Sequence, residues 1–294
     1  MGGVWGHPPA ARVPASLRPY VDAMFGYSAD GLTPGVHRGL PSHGLTLVLS
    51  LEQPLRTAPS EEDWARGVRD AQWVSLGGLH TRAAMVENPG RWLGVQLTLH
   101  PLGARGLLGA PAAALPVGSW DARDLLGAEV DRVVEELHAA TDWADRYAAV
   151  LAFLGRRRRA VARGAQPPVP RPEVRHAWRL LTREPARPVQ AVAAEVGYSR
   201  RRLGQLLAAE VGHGPKTVQR LARFDAARRA VARASSAGDP LAQVAARVGY
   251  YDQSHLVRDF HEFAGLGPTA WLAAERGAQE FPNLQVGQQG DGAA

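Results

Sequence analysis

Val192-Ala193-Ala194-Glu195-Val196-Gly197-Tyr198 returns 52 residues later as Val244-Ala245-Ala246-Arg247-Val248-Gly249-Tyr250. Further on the offset becomes 53: Leu203 matches Leu256, Leu207 matches Phe260, and Gly212-His213-Gly214-Pro215 matches Gly265-Leu266-Gly267-Pro268. The second copy has therefore gained one residue between Tyr250 and Leu256. A small residue, a glycine four positions on, and an apolar residue six or seven later is the spacing of a helix-turn-helix. Ala193 and Ala245 let the second helix approach the first closely. Gly197 and Gly249 can take the positive φ that the sharp turn demands. Val192, Val196, Leu203, Leu206 and Leu207 are expected to bury the inner faces of the first pair. Val244, Val248, Leu256, Phe260 and Phe263 are expected to do so in the second. Ser199 and Asp252 stand where the N-caps of the second helices belong.

Charge supports a polyanion partner for this half. The chain has 33 Arg and a single Lys, Lys216, and its excess of +6 is not evenly spread. Residues 1–165 carry +1, residues 166–276 carry +7, and the tail 277–294 carries −2. A localised positive field is the electrostatic footprint of nucleic-acid binding.

The doubled motif resembles the DNA-binding module of the AraC/XylS family of bacterial transcription regulators. The likeness is closest over Ala245, Arg247-Val248-Gly249-Tyr250-Tyr251-Asp252-Gln253-Ser254-His255-Leu256, Arg258, Phe260, Phe263, Gly265 and Pro268, and it covers roughly 172–275. The resemblance implies two helix-turn-helix units joined by a long helix, here Lys216–Ala234, with recognition helices in adjacent major grooves. With Leu203 and Leu207 inward, the outer face of the first recognition helix presents Arg200, Arg201, Gly204 and Gln205. In the second, Gln253, Ser254, Val257 and Arg258 face outward. Arginine pairs with guanine and glutamine with adenine in the major groove. Arg200, Arg201, Gln205, Gln253, Ser254 and Arg258 are therefore the expected base readers, with phosphate the alternative for Arg200; Gly204 has no side chain to read with. Arg202, His213, Lys216, Thr217 and Thr269 are the expected phosphate contacts, the last four beside helix N-termini.

The first half reads differently. Leu45, Leu47, Leu49 and Leu51 alternate, as do Val95, Leu97 and Leu99, and Gly and Pro punctuate the rest, the pattern of a small β-sandwich or barrel. From Asp121 the period becomes helical: Leu125, Leu126, Val130, Val133, Val134 and Leu137 share one face, and Trp143, Tyr147, Val150, Leu151 and Leu154 another. This pair could form a dimer interface or pack on its own barrel. The stretch Trp92–Arg105, with Pro101-Leu102-Gly103-Ala104, resembles the amino-terminal domain in one branch of the same regulators. That resemblance implies a cupin-like barrel binding an effector or a partner subunit. Leu47, Leu49, Val95 and Leu97, with Trp73 or Trp92, are the expected lining of an effector cavity, unless they are simple core.

The fold expected is α+β: a β-rich cupin-like barrel with two helices over 1–160, a Pro-rich linker over 161–172, an all-α double helix-turn-helix domain over 173–276, and a disordered tail over 277–294. Arg156-Arg157-Arg158-Arg159 ends a helix just before the linker and reads either as a solvated helix end or as a phosphate-contacting arm.

The absence of cysteine removes disulfides, thiolate metal sites and cysteine nucleophiles. It also removes the related enzyme class in which this DNA-binding module accompanies alkyl transfer to a cysteine. His37, His43, His80 and His100 are scattered with no His-x-His, and neither a Gly-x-Ser-x-Gly elbow nor a phosphate-binding loop occurs. The expectation is a cytoplasmic regulator without catalytic site, metal or cofactor. Its expected partners are double-stranded DNA, RNA polymerase, a small-molecule effector and a second copy of the chain. No signal peptide or membrane span is apparent. The alternative is a cupin-type enzyme or metal-binding protein with an appended DNA-targeting module.

Overall fold

The computed structural model describes residues 4–6, 8–9, 11–116, 118–164 and 169–277. Contacts divide the chain into two compact units. The first comprises Met1–His37, Gly44–Gly78 and Ala84–Val169; the second comprises Arg38–His43, Leu79–Ala83 and Pro170–Ala294. The tail expected to be disordered lies, from residue 278 onward, outside the described residues, as do linker residues 165–168.

The strands are β1 (Val4–Gly6), β2 (Val21–Asp30), β3 (Gly35–Gly39), β4 (Leu45–Ser50), β5 (Leu55–Ala58), β6 (Asp70–Gln72), β7 (Val74–Gly77), β8 (Ala84–Asn88), β9 (Trp92–Leu99) and β10 (Ser119–Asp121). They form two sheets with open edges, one of six strands in the order β1-β2-β9-β4-β7-β10 and one of four in the order β3-β8-β5-β6.

The alternating leucines set the centre of the larger sheet. In the antiparallel register Leu45 stands opposite Leu99, Leu47 opposite Leu97 and Leu49 opposite Val95, so one face is an unbroken apolar surface. All six are at most 1% exposed. The same face carries Met24 and Gly26 of β2, opposite Leu97 and Val95. Gly26 is glycine because a helix lies against it: a Cβ there would come within 2.2 Å of the Trp143 ring.

The α-helices of this unit, among the described residues, are α1 (Glu61–Ala65), α2 (Ala104–Leu108), α3 (Arg123–Leu126), α4 (Glu129–Ala139) and α5 (Trp143–Val161). Asp142 caps α5, its carboxylate accepting from the Asp145 amide at 2.8 Å. Tyr147 ties the helix down, accepting from the Gly26 amide and donating to the Pro9 carbonyl, both at 2.8 Å. Val130, Val133, Leu137, Val150, Phe153 and Leu154 are buried within the chain itself. The apolar faces of α4 and α5, one candidate for a dimer interface, are thus largely consumed by internal packing.

The second unit is helical: α6 (Pro172–Arg183), α7 (Val189–Glu195), α8 (Arg200–Val211), α9 (Pro215–Ala237), α10 (Leu241–Arg247), α11 (Gln253–Ala264) and α12 (Pro268–Gly277). The repeat is therefore α7-turn-α8 and α10-turn-α11, and α9 is the 23-residue connector. Gly197 and Gly249 close the two turns at φ 73° and 78°. After each, the chain folds back: Tyr198 donates to the Ala193 carbonyl at 2.9 Å and Tyr250 to the Ala245 carbonyl at 3.0 Å.

The core of the C-terminal repeat is aromatic. Phe224 of α9 meets Phe260 and Phe263 of α11 at ring centroid distances of 5.1 and 5.0 Å, and Phe260 meets Trp271 of α12 at 5.5 Å. Leu221, Val231, Val244, Ala245 and Leu256 complete the cluster. In the N-terminal repeat Val192, Ala193, Leu203 and Leu207 are fully buried beside Trp178 and Leu181 of α6. Leu206 and Val248, expected inward, are partly buried, Val248 packing against the aromatic cluster from the end of α10.

Candidate nucleic-acid interface

Both recognition helices start the same way. Ser199 accepts from the Arg202 amide at 3.1 Å and Asp252 from the His255 amide at 2.6 Å, so each cap satisfies one N–H of the first turn. With the inner faces fixed by Leu203 and Leu207, and by Leu256 and Phe260, the opposite faces are exposed. Arg200, Arg201, Arg202 and Gln205 on α8, and Gln253, Ser254 and Arg258 on α11, are all solvent-facing.

Pairing separates these side chains from several other arginines of the unit. Arg187 is bound to Glu184 and Glu195, Arg247 to Asp239, and Arg228 and Arg229 to Asp225. Arg220 joins α9 to α11: it donates to Asp259 at 2.7 Å and to both oxygens of Glu262 at 2.9 and 2.6 Å, with its guanidinium over the Phe263 ring. In contrast, Arg200, Arg201, Arg202, Arg258 and Lys216 make no ion pair among the described residues. Charge free to meet a polyanion is thus present on both recognition helices and at the start of the connector.

The phosphate candidates divide. Lys216 and Thr217 lie in the first turn of α9, whose N-cap, Gly214, offers no side-chain capping bond, so early amides remain open to an anion. Thr269 occupies the matching place after Pro268 in α12 and is exposed. His213, another expected phosphate contact, has its Nε2 3.0 Å from the carbonyl oxygen of Leu79, within the same unit. Gly204 faces Pro215, whose Cδ is 3.9 Å from where a Cβ would stand. Alanine fits that space, so Gly204→Ala should stabilise α8 by about 0.5–1 kcal/mol. A chemical-denaturation midpoint that falls would contradict this.

Sequence reasoning passed over three groups. Tyr251, 94% exposed, projects from the turn just before the Asp252 cap; a large exposed aromatic beside a recognition helix is the signal that could have flagged it. Arg220 escaped because its partners lie 39 and 42 residues away. Asp225, 3% exposed on α9, holds Arg228 at 2.6 Å and Arg229 at 2.6 Å, with His43 Nδ1 3.3 Å away. Burial alone would raise the Asp225 carboxyl, but the charges of Arg228, His43 and Arg229 outweigh it and hold it well below the usual carboxylate range.

The expected effector lining is not brought together. Leu47, Leu49, Val95 and Leu97 share one sheet face and are at most 1% exposed. Trp92 is three residues from Val95 on the same strand, so it points to the opposite face, where it meets Tyr27 edge-on at 6.1 Å and donates to Asn88. Trp73 instead packs against His138. The four aliphatic residues are core. Among the described residues no group of three His, Asp or Glu converges as a metal site would require, and no helix is long and apolar enough to cross a membrane.

Two capped helix-turn-helix units, one long connecting helix and an unpaired basic set on both recognition helices define a DNA-binding transcription regulator. Residues 192–274, spanning both units, match the family model of the helix-turn-helix domain, in keeping with the AraC/XylS resemblance of this half. No curated protein matches the chain. Among solved structures, ToxT from Vibrio cholerae O395 is similar over 87% of this chain and 98% of its own, at 12% identity and a TM-score of 0.47. A 1.65 Å structure of Vibrio cholerae ToxT gives 85% and 97%, 10% identity and 0.49. A Vibrio cholerae ToxT structure with bound unsaturated fatty acid gives 85% and 94%, 10% identity and 0.45.

Proposed function

We propose that the chain is a sequence-specific regulator whose two recognition helices read base edges in successive major grooves of one DNA site. The observation that carries this reading is the duplicated, capped helix whose exposed N-terminal half bears unpaired Arg and Gln side chains in both copies. Arg200, Arg201 and Gln205 read one groove; Gln253, Ser254 and Arg258 read the next. Arg202, Lys216, Thr217 and Thr269 hold phosphates, and Tyr251 lies against the backbone between them. Ala193, Gly197, Leu203, Ala245, Gly249, Leu256 and Phe260 set the turn and packing that aim these helices.

Arg258→Ala is expected to cost about 1–3 kcal/mol on the preferred site and to relax specificity at one base pair. Binding isotherms on a matched and a singly substituted duplex check it; unchanged discrimination removes Arg258 from the reading set. Lys216→Ala should weaken all DNA alike and lower the salt slope by about 0.9. A loss confined to one sequence would contradict a phosphate role.

Our reading assigns the first unit to control: an effector or a partner subunit alters its state, and the regulator acts in the cytoplasm as a homodimer that contacts RNA polymerase. Support comes from the chain's division into a β-rich unit and a DNA-binding unit, since a DNA reader needs only the second. Sedimentation of the purified chain with and without its DNA site tests the dimer; a single chain per site at saturation would reject it.

A further inference from the structure

The first unit contains a cleft of about 370 Å³ between the turn at Pro14–Leu17 and the second half of α5. Its size falls in the range of small-molecule sites, roughly 300–1,000 Å³. One wall is ordered by its own backbone: the Pro14 carbonyl accepts from the Leu17 amide at 2.9 Å and from the Arg18 amide at 3.2 Å. Leu17, 3% exposed, and Leu151 supply apolar surface, and Ser16 adds a hydroxyl at the rim.

The other wall is cationic. Arg156, Arg158 and Arg159 line the cleft. Arg156 uses its Nε on Glu129 at 3.0 Å, but its Nη2 is buried without a hydrogen-bond partner, and so is the Nε of Arg158. Arg158 and Arg159 make no ion pair among the described residues. The Arg157 Nε, outside the cleft, is buried without a partner as well, so what the cleft offers an anion is the charge of Arg158 and Arg159 rather than these buried atoms. Guanidinium groups match oxyanions with paired N–H bonds, and beyond the Arg156–Glu129 pair Arg158 and Arg159 bring two uncompensated charges. Gly155 also lines the cleft, and a Cβ there would meet only Arg159 Nη1, at 3.5 Å.

We propose that this cleft binds a small organic phosphate: a doubly charged oxyanion held by Arg156, Arg158 and Arg159, with an apolar group against Leu17 and Leu151. A flat DNA backbone is the other polyanion such a run could meet, but it could not enter a cleft walled by Leu17 and Leu151. The site stands independently of how the second unit reads DNA.

Calorimetric titration of the full chain with phenyl phosphate and with inorganic phosphate, at constant ionic strength, tests it. Phenyl phosphate should bind at least tenfold more tightly than inorganic phosphate. Arg158→Gln, which removes charge, and Gly155→Leu, which fills the mouth while favouring the helix, should each weaken it more than tenfold. Arg163→Gln, outside the cleft, should bind as the parent does. Circular dichroism melts confirm that each variant is folded; should Gly155→Leu not fold, Arg158→Gln against Arg163→Gln decides alone. Equal affinity for the two phosphates, or loss in Arg163→Gln as large as in Arg158→Gln, overturns the site. No phenyl phosphate binding, with weaker binding of unrelated duplex DNA by Arg158→Gln, also overturns it and makes the run a DNA-contacting arm. Every one of these outcomes leaves operator recognition by α8 and α11 to be judged separately.

Discussion

Replacing Phe260 by alanine should destabilise the second unit by about 3–5 kcal/mol, the usual cost of a fully buried phenylalanine whose neighbours cannot collapse. Phe260 is 0% exposed and stands between Phe224 of α9 and Trp271 of α12, so one deletion opens the joint of three helices. Trp271, 5.5 Å away, gives a local probe. Denaturant melts followed by fluorescence and by circular dichroism should show its transition moving to lower denaturant, and DNA affinity should fall as α11 loses its seat. A shift worth less than 1 kcal/mol would mean that the aromatic cluster does not hold this repeat together.

Asp225→Ala should be about as damaging, roughly 3–5 kcal/mol, for a different reason. It leaves Arg228, 7% exposed, buried without its carboxylate. The paired change Asp225→Leu with Arg228→Met should recover most of that loss, because it removes the stranded charge as well. Because the Asp225 carboxyl sits well below its usual range, its stabilising contribution is complete above about pH 4. It is lost as the pH falls further, through the folded-state value. Melts of the parent should therefore weaken in acid more than those of Asp225→Asn. Parallel acid profiles for the two proteins would show that the cluster contributes nothing.

Much of the second unit was legible because it is written twice. Gly197 and Gly249 at positive φ, the Ser199 and Asp252 caps and the inward Leu203, Leu256 and Phe260 all follow from local spacing, and local spacing is what a sequence displays. The larger sheet was legible only where alternation is strict, on β4 and β9. Strand β2 was not, since its glycine and tyrosine interrupt the apolar pattern; Gly26 answers to Trp143, more than a hundred residues on, and Tyr27 to the opposite sheet face. The effector lining fails on parity that the sequence itself contains: 92 and 95 differ by an odd number, so Trp92 and Val95 cannot share a face of one strand. The Arg220 bridge to Asp259 and Glu262, like the open cleft beside Arg158, depends on helices meeting in space, and no periodicity announces either.

Selection of bound fragments from random duplex DNA by the full-length protein, repeated with Arg201→Ala and Arg258→Ala, tests the central claim most directly. The parent should recover one motif of two blocks about 10 base pairs apart, the separation of successive major grooves on one face of the duplex. Arg201→Ala should blur one block and Arg258→Ala the other, each leaving its neighbour sharp. Salt-sensitive binding that enriches no motif, or a motif that both variants recover unchanged, would contradict base reading by these two helices.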